Sequence, residues 1–151
     1  MLRVRRWRRT ARFVDFVAVF AAAMLLAGCG SSSHPTAAGR VIGVSERDFR
    51  IAVQTDRVTP GAYVLRVHNG GPDQHELIVA PARRRSLPVR ADGFTVNEEA
   101  LQSSEPGSVE PQQPGATIDL HVELKPGRYV LFCNMAGHFM AGMHVDFVVT
   151  G

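Results

Sequence analysis

The feature that most constrains the fold is an alternating segment followed by a Pro-Gly turn and a tyrosine. From Ile118 to Leu124 apolar and polar residues alternate, which is typical of a strand with one buried face. The residues Leu124-Lys-Pro-Gly-Arg-Tyr129 match the tyrosine corner, in which the hydroxyl group bonds to nearby backbone. Because this corner is a device of Greek-key sandwiches, we predict an all-β Greek-key β-sandwich.

Other segments have the composition of short strands separated by turns. Val58-Thr-Pro-Gly-Ala-Tyr63 repeats the corner pattern and predicts a strand in an equivalent position of the sandwich. A short helix is predicted at 97–102, within a Pro- and Gly-rich stretch, 81–114, to which the sequence assigns no role. The remaining predicted strands lie at 41–53, where Phe49, Ile51 and Val53 alternate with polar residues, and at 62–68, 75–80, 128–133 and 143–149.

The residues Cys133, His138 and Met143 form a Cys-x4-His-x4-Met motif near the C-terminus. Thiolate and thioether groups suit Cu(I), and imidazole binds either oxidation state of copper. A blue-copper centre uses two His and one Cys in a plane with a weak axial Met. His75, at the start of a predicted strand, is the best candidate for the second His. The motif therefore predicts a mononuclear copper site.

Other interpretations of the motif remain open. Cys133 could be an inert buried residue beside an unrelated His and Met, and a structural zinc site is disfavoured because zinc prefers further Cys, His or carboxylate ligands to a thioether. Met135 and Met140 are alternative axial ligands in the same loop. The other histidines are expected on the surface or in the N-terminal tether, namely His34, His68, His121 and His144.

With His75 included, the motif resembles the cupredoxins, the small blue-copper proteins, and its spacing resembles their sulfocyanin- and rusticyanin-like branch. The resemblance implies a protein that carries single electrons through one type 1 copper. It implies four ligands, which are His75, Cys133, His138 and Met143. It also implies that His138 is the ligand nearest the surface.

One position departs from the cupredoxin pattern. Many members of the family follow the first His with Asn, whereas this chain has Glu76. Asn69 and Asn134 are candidates for a comparable hydrogen bond that orients the ligand loop. We expect all three residues to lie around the site and to tune it.

The first 28 residues have the pattern of an exported lipoprotein. Six arginines precede an apolar run, 16–27, that is short for a permanent membrane span. Leu26-Ala-Gly-Cys29 resembles the bacterial lipoprotein cleavage site. We expect a signal peptide at 1–28, a lipidated Cys29 with a flexible tether over 29–40, and a cupredoxin-like domain at 41–151. The domain would then sit at the outer face of the cytoplasmic membrane, in the periplasm or at the cell surface; an uncleaved anchor is the alternative.

Charge and cysteine content exclude several classes of function. Removing 1–28 takes away six arginines and Asp15 and leaves a net charge of about −2. Without a basic stripe no nucleic-acid binding is expected, and the cluster Arg83-Arg84-Arg85 is interpreted as solvated. If Cys29 carries lipid, Cys133 is the last thiol, so an internal disulfide or a copper centre that needs two Cys is excluded.

The leading functional hypothesis is a tethered electron carrier, expected as a monomer, with redox partners of the cytochrome or oxidase type. Phe139 and Met140, flanked by Ala136 and Ala141, are candidates for an apolar docking patch. An enzyme is not expected, because four protein ligands leave no position for a substrate. A protein that stores or delivers Cu(I) is the alternative, since methionines near one thiol also suit copper trafficking. A sandwich used only for protein contacts is a third.

Overall fold

The computed structural model describes residues 39–82, 87–101 and 103–151. The predicted signal peptide, Cys29, most of the tether with His34, and Arg83-Arg84-Arg85 lie outside these residues. The strands are β1 (Arg40–Arg47), β2 (Arg50–Val53), β3 (Arg57–Val58), β4 (Gly61–Asn69), β5 (His75–Pro81), β6 (Gly107–Gln112), β7 (Thr117–Leu124), β8 (Gly127–Phe132) and β9 (His144–Val149). Within the described residues, no helix has the length and hydropathy needed to cross a bilayer.

The strands form two sheets, which confirms the predicted β-sandwich. One sheet has the order β2-β1-β4-β7 and the other the order β3-β9-β8-β5-β6. Most neighbours are antiparallel, whereas β1 with β4 and β3 with β9 are parallel pairs. Alternate residues of both sheets, such as Leu65 and Val67 on β4 and Leu77 and Val79 on β5, enter one shared core. Burial of these apolar side chains is the main stabilising contribution to the domain.

The two predicted corners have equivalent contacts. The hydroxyl of Tyr129 donates to the carbonyl oxygen of Lys125 at 2.9 Å, and the hydroxyl of Tyr63 donates to that of Thr59 at 2.8 Å. Tyr129 lies on β8 and Tyr63 on β4, and each strand has neighbours on both sides. The corner pattern therefore marks an interior strand in each sheet, as the echo in the sequence predicts.

The stretch 87–101 covers the outer face of the second sheet. Leu87, Val96 and Leu101 pack against Ile78 of β5 and Phe132 of β8 in a second apolar cluster. Strand β5 is consequently buried on both faces. The rest of the long Pro- and Gly-rich stretch includes β6, which the sequence did not predict.

Of two local predictions, one is confirmed only in part and the other was wrong. The predicted helix at 97–102 is only a short 3-10 helix, Glu98–Ala100, capped by Asn97. Its neighbours are held by long-range contacts with β5 and β8, so local helix preference does not decide their conformation. Phe49 was predicted to alternate within a strand but lies in the turn between β1 and β2 with φ 60°. The pairing of Arg47 with Arg50 forces this two-residue turn.

Candidate metal centre

Three strand ends bring the predicted ligands to one edge of the second sheet. His75 begins β5, Cys133 directly follows β8, and Met143 directly precedes β9. Because β8 is antiparallel to both β5 and β9, the end of β8 meets the starts of its two neighbours. His138 lies on the loop that joins β8 to β9. The hydrogen-bonded sheet therefore fixes the positions from which three of the four side chains start.

The loop between Cys133 and Met143 is closed by short backbone hydrogen bonds. The N–H of Cys133 donates to the carbonyl of Met143 at 3.1 Å, and the N–H of Met143 donates to that of His138 at 3.0 Å. Gly137 and Gly142 have φ values of 84° and 98°, a region that side chains other than glycine rarely adopt. These two glycines permit the tight backbone path of the loop.

The donor atoms of His75, Cys133 and His138 all lie within 4.8 Å of one another. The Sγ atom of Cys133 is 3.5 Å from Nδ1 of His138, and the two imidazole ring centroids are 5.2 Å apart. Met143 is fully buried in the same core cluster as Cys133. Of the alternative axial ligands, Met135 is partly buried and Met140 is 55% exposed. The structure thus brings together His75, Cys133 and His138 and favours Met143 beside them.

The site is buried, and burial determines the protonation of its donors. Burial first, and then the charge of His138, lowers the pKa of His75, so this imidazole is neutral and has a free lone pair. Burial raises the pKa of the Cys133 thiol to about 11. A metal ion must therefore displace the thiol proton on binding. The sulfur atom becomes a strong metal ligand only as the thiolate.

The unsatisfied polar atoms of His75 provide a test of whether a metal fits. The side chain is fully buried, yet within the described part of the chain neither Nδ1 nor Nε2 has a hydrogen-bond partner. Such a group is costly unless something else satisfies it. Two imidazoles, one thiol and one thioether are the donor set of a type 1 copper site. The residues present therefore fit a copper ion.

The three predicted tuning residues each hold part of the site. Glu76 accepts a hydrogen bond at 3.1 Å from the backbone N–H of Asn134, the residue after Cys133. Glu76 therefore joins β5 to the ligand loop itself. The amide of Asn134 bonds to the backbone of Val96, and the amide of Asn69 bonds to the carbonyls of Asp73 and Gln112. Both asparagines brace the segments that carry the ligands.

Two residues at the site were missed by sequence reasoning. Oδ1 of Asp48 lies 3.2 Å from Nε2 of His75, a short contact whose geometry does not meet that of a hydrogen bond. The ring of Phe49 meets the ring of His138 edge-on, with centroids 5.4 Å apart. The sequence pattern contains no signal that the β1–β2 turn would contact ligands on the second sheet.

The surface predictions are confirmed for most residues. His68, His121 and His144 are exposed, as expected. Met140 is exposed, but Phe139 is half-buried because its ring packs edge-on against Phe132. Phe139 thus contributes to the second apolar cluster as well as to the surface.

No protein-family model matches the sequence, and no curated protein sequence matches it. Solved structures do resemble this chain. Auracyanin A, a "blue" copper protein from Chloroflexus aurantiacus, has a TM-score of 0.52 and 16% identity over 73% of this chain and 98% of that chain. An azurin from Methylomonas sp. strain J has a TM-score of 0.54 and 14% identity, covering 76% and 100% of the two chains. Rusticyanin from Thiobacillus ferrooxidans has a TM-score of 0.52 and 13% identity, covering 75% and 79%.

TM-scores above 0.5 at such low identities show that these chains share a fold. In this chain, one edge of the second sheet carries the grouped donors of His75, Cys133 and His138, and Met143 is buried in the same core cluster as Cys133. The protein therefore has the cupredoxin fold, with a group of side chains that fits a blue-copper site.

Proposed function

We propose that this protein carries single electrons by means of one copper ion held by His75, Cys133, His138 and Met143. The observation that supports the proposal most strongly is that the donor atoms of buried His75, buried Cys133 and half-buried His138 lie within 4.8 Å of one another. A bound copper ion supplies one-electron chemistry by cycling between Cu(I) and Cu(II). Hydrogen-bonded strands and the closed loop keep these donors nearly fixed, which favours fast transfer.

Further support comes from the type of donor and from the structural relatives. Thiol and thioether groups stabilise Cu(I), and the imidazoles serve both states. Four donors from the protein leave no position for a substrate, so the site favours a carrier over an enzyme. Auracyanin A, which shares the fold, is a blue copper protein.

The surface around His138 supports docking of a redox partner. His138 is half-buried and lies beside Phe49, which is 51% exposed. The carbonyl of Phe94, a residue that is 63% exposed, accepts a hydrogen bond from Gly137 next to His138. We propose that exposed Phe49, Phe94 and Met140 form an apolar rim for docking, since redox encounters use small interfaces. A cytochrome or an oxidase domain is the class of partner we propose.

The absorption spectrum of the purified protein loaded with Cu(II) tests the proposed function. We expect an intense thiolate-to-copper band that disappears on reduction and is absent in Cys133→Ala. His121→Ala, which removes an exposed imidazole, serves as the control and should keep the band. A colourless wild-type protein that binds Cu(I) tightly would instead favour copper storage or delivery, and a protein that binds no copper would contradict both functions.

Replacing Met140 with glutamate should slow electron exchange with a partner protein without changing the visible spectrum. The side chain is 55% exposed, so a charge there is tolerated by the fold but opposes close apolar contact. Stopped-flow measurement of the exchange rate against a cytochrome at several salt concentrations tests this. Ile118→Glu, at an exposed apolar position on β7, is the matched control. Equal rates for both variants and the wild type would exclude the rim as the docking surface.

We also propose that lipidated Cys29 tethers the domain to the outer face of the cytoplasmic membrane. The support is the sequence pattern of 1–29 alone. Cys29→Ser should move the protein from the membrane fraction to the soluble exported fraction, measured by fractionation of cells that express the full chain. An unchanged membrane fraction would indicate an uncleaved anchor.

A further inference from the structure

The turn between β1 and β2 contacts both candidate histidine ligands. Asp48 and Phe49 are its two central residues, since Arg47 pairs with Arg50. Asp48 places Oδ1 at 3.2 Å from Nε2 of His75. Phe49 places its ring edge-on to His138. The β1–β2 turn of the first sheet therefore contacts the imidazole of His75, which lies on the second sheet, and that of His138, which lies on the loop between β8 and β9.

Gly71 leaves the space in which Asp48 and His75 meet. A Cβ atom at this position would lie 2.7 Å from Nε2 of His75 and 3.1 Å from Oδ1 of Asp48, so any side chain would push the pair apart. The N–H of Gly71 donates to the amide oxygen of Asn69 at 2.9 Å. The N–H of Gly70 donates to the carbonyl of Glu46 at 2.9 Å, which holds the start of the 70–74 loop beside the end of β1.

These contacts leave the two nitrogens of His75 in different surroundings. Nε2 faces the carboxylate of Asp48 and the backbone of Gly71, whereas among the described residues no carboxylate pairs with Nδ1. A neutral imidazole carries its proton on one nitrogen only, and the neighbour of the other nitrogen decides which one binds a metal. A carboxylate next to Nε2 favours the tautomer with the proton there and the lone pair on Nδ1.

We propose that Asp48, Phe49 and Gly71 are positioning residues that hold His75 in the Nε2–H tautomer and fix the ring of His138. The identity of the metal rests on the proposed function, but the tautomer and the ring orientation belong to the metal-free protein. Phe49 adopts φ 60°, which is uncommon for a bulky residue. Its contact with His138 provides a reason why an aromatic side chain stands at this turn position.

Two-bond ¹H–¹⁵N correlation spectra of the metal-free full chain, labelled at histidine nitrogen, test the proposal at neutral pH. In the wild type we expect His75 to be almost wholly in the Nε2–H form. In Asp48→Ala the Nδ1–H form should become substantial. Asp73→Ala is the matched control: Asp73 also acts on His75 through its charge alone, so its removal should leave the tautomer unchanged.

A binding measurement gives a second, independent result. Removing the partner of a ligating His typically lowers metal affinity 10–100-fold, so Co(II) should bind about that much more weakly to Asp48→Ala, and also to Gly71→Ala. Asp48→Asn, which suits a turn and keeps the shape, provides the same comparison if the alanine variant does not fold. An unchanged tautomer and unchanged Co(II) affinity in the Asp48 variants would overturn the proposal.

Phe49→Gly tests the second contact, because glycine suits the backbone of the turn but has no ring. We expect the His138 ring resonances to shift and broaden while those of His75 stay in place. Unchanged His138 resonances would overturn the role of Phe49. If the copper-loaded protein is colourless but His75 has the expected tautomer, the proposed function is contradicted and this inference is still supported.

Discussion

Replacing Glu46 with glutamine should make the stability of the metal-free protein much less dependent on pH. We expect the wild type to lose stability between about pH 5 and about pH 8, and the variant to lack most of that loss. The side chain of Glu46 is fully buried, and in the described residues neither carboxylate oxygen has a hydrogen-bond partner. Burial first, and then the charge of Glu76, raises the pKa of Glu46 to about 8. The folded protein therefore holds this carboxyl group in its neutral form.

The direction of the pH dependence follows from this raised pKa. The unfolded chain ionises Glu46 near the ordinary glutamate pKa of 4.5, whereas the folded protein resists ionisation until about pH 8. The stabilising contribution is therefore complete below the unfolded pKa and is lost as the pH rises toward the folded one. The loss is on the order of 3 kcal/mol across this window. Glu76, whose pKa is raised to about 7 chiefly by burial, adds a loss of the same sign.

Urea unfolding of the metal-free wild type and Glu46→Gln at several pH values measures this effect. The two proteins should have similar free energies of unfolding near the acid end and should diverge as the pH rises, with the variant more stable. Glu123→Gln, an exposed glutamate of β7, is the control and should follow the wild type. If the free energy of unfolding depends on pH in the same way for wild type and Glu46→Gln, the folded protein does not hold Glu46 as a neutral carboxyl group.

Replacing Asn134 with alanine should lower the free energy of unfolding by roughly 2–5 kcal/mol, because it leaves two buried backbone groups without partners. The amide oxygen of Asn134 accepts from the N–H of Val96 at 2.6 Å, and its Nδ2 donates to the carbonyl of Val96 at 3.0 Å. Val96 is fully buried where the 87–101 segment packs on the second sheet. The Asn134 side chain therefore holds this segment to the strand end that carries Cys133.

Asn97→Ala is the matched control for this second variant. Asn97 also bonds a backbone N–H, that of Ala100, but this bond is exposed and its loss should cost about 1 kcal/mol or less. Chemical denaturation of both metal-free variants gives the comparison. The Cu(II) spectrum of Asn134→Ala should also broaden, since the residue after Cys133 becomes less constrained. Equal losses of unfolding free energy in the two variants would show that Asn134 does not hold the 87–101 segment to the end of β8.

The fold could be predicted from short local patterns because those patterns reflect burial. Alternation from Ile118 to Leu124 predicts a half-buried strand, and the structure has β7 there. The two Pro-Gly-x-Tyr segments predict corners that the structure contains. The Cys133, His138 and Met143 spacing also fits a loop between neighbouring strands, so its geometry is largely local.

Other features depend on contacts between distant segments and could not be read from spacing. Strand β6 is held by pairing with β5, and the 97–101 stretch is shaped by the face that it covers. The contact of Asp48 with His75 joins residues of two sheets, and no periodicity encodes it. The half-burial of Phe139 likewise follows from its packing on Phe132.

The sequence by itself determined the class of fold, the four candidate ligands and the metal that their chemistry suits. These depend on residue type and short spacing, which the chain carries directly. Only the tertiary structure decided which residues support the ligands, namely Glu76, Asn134 and the Asp48–Phe49 turn, and that Glu46 is buried without a partner among the described residues. The reason is physical: burial and long-range contact exist only after the two sheets have packed together.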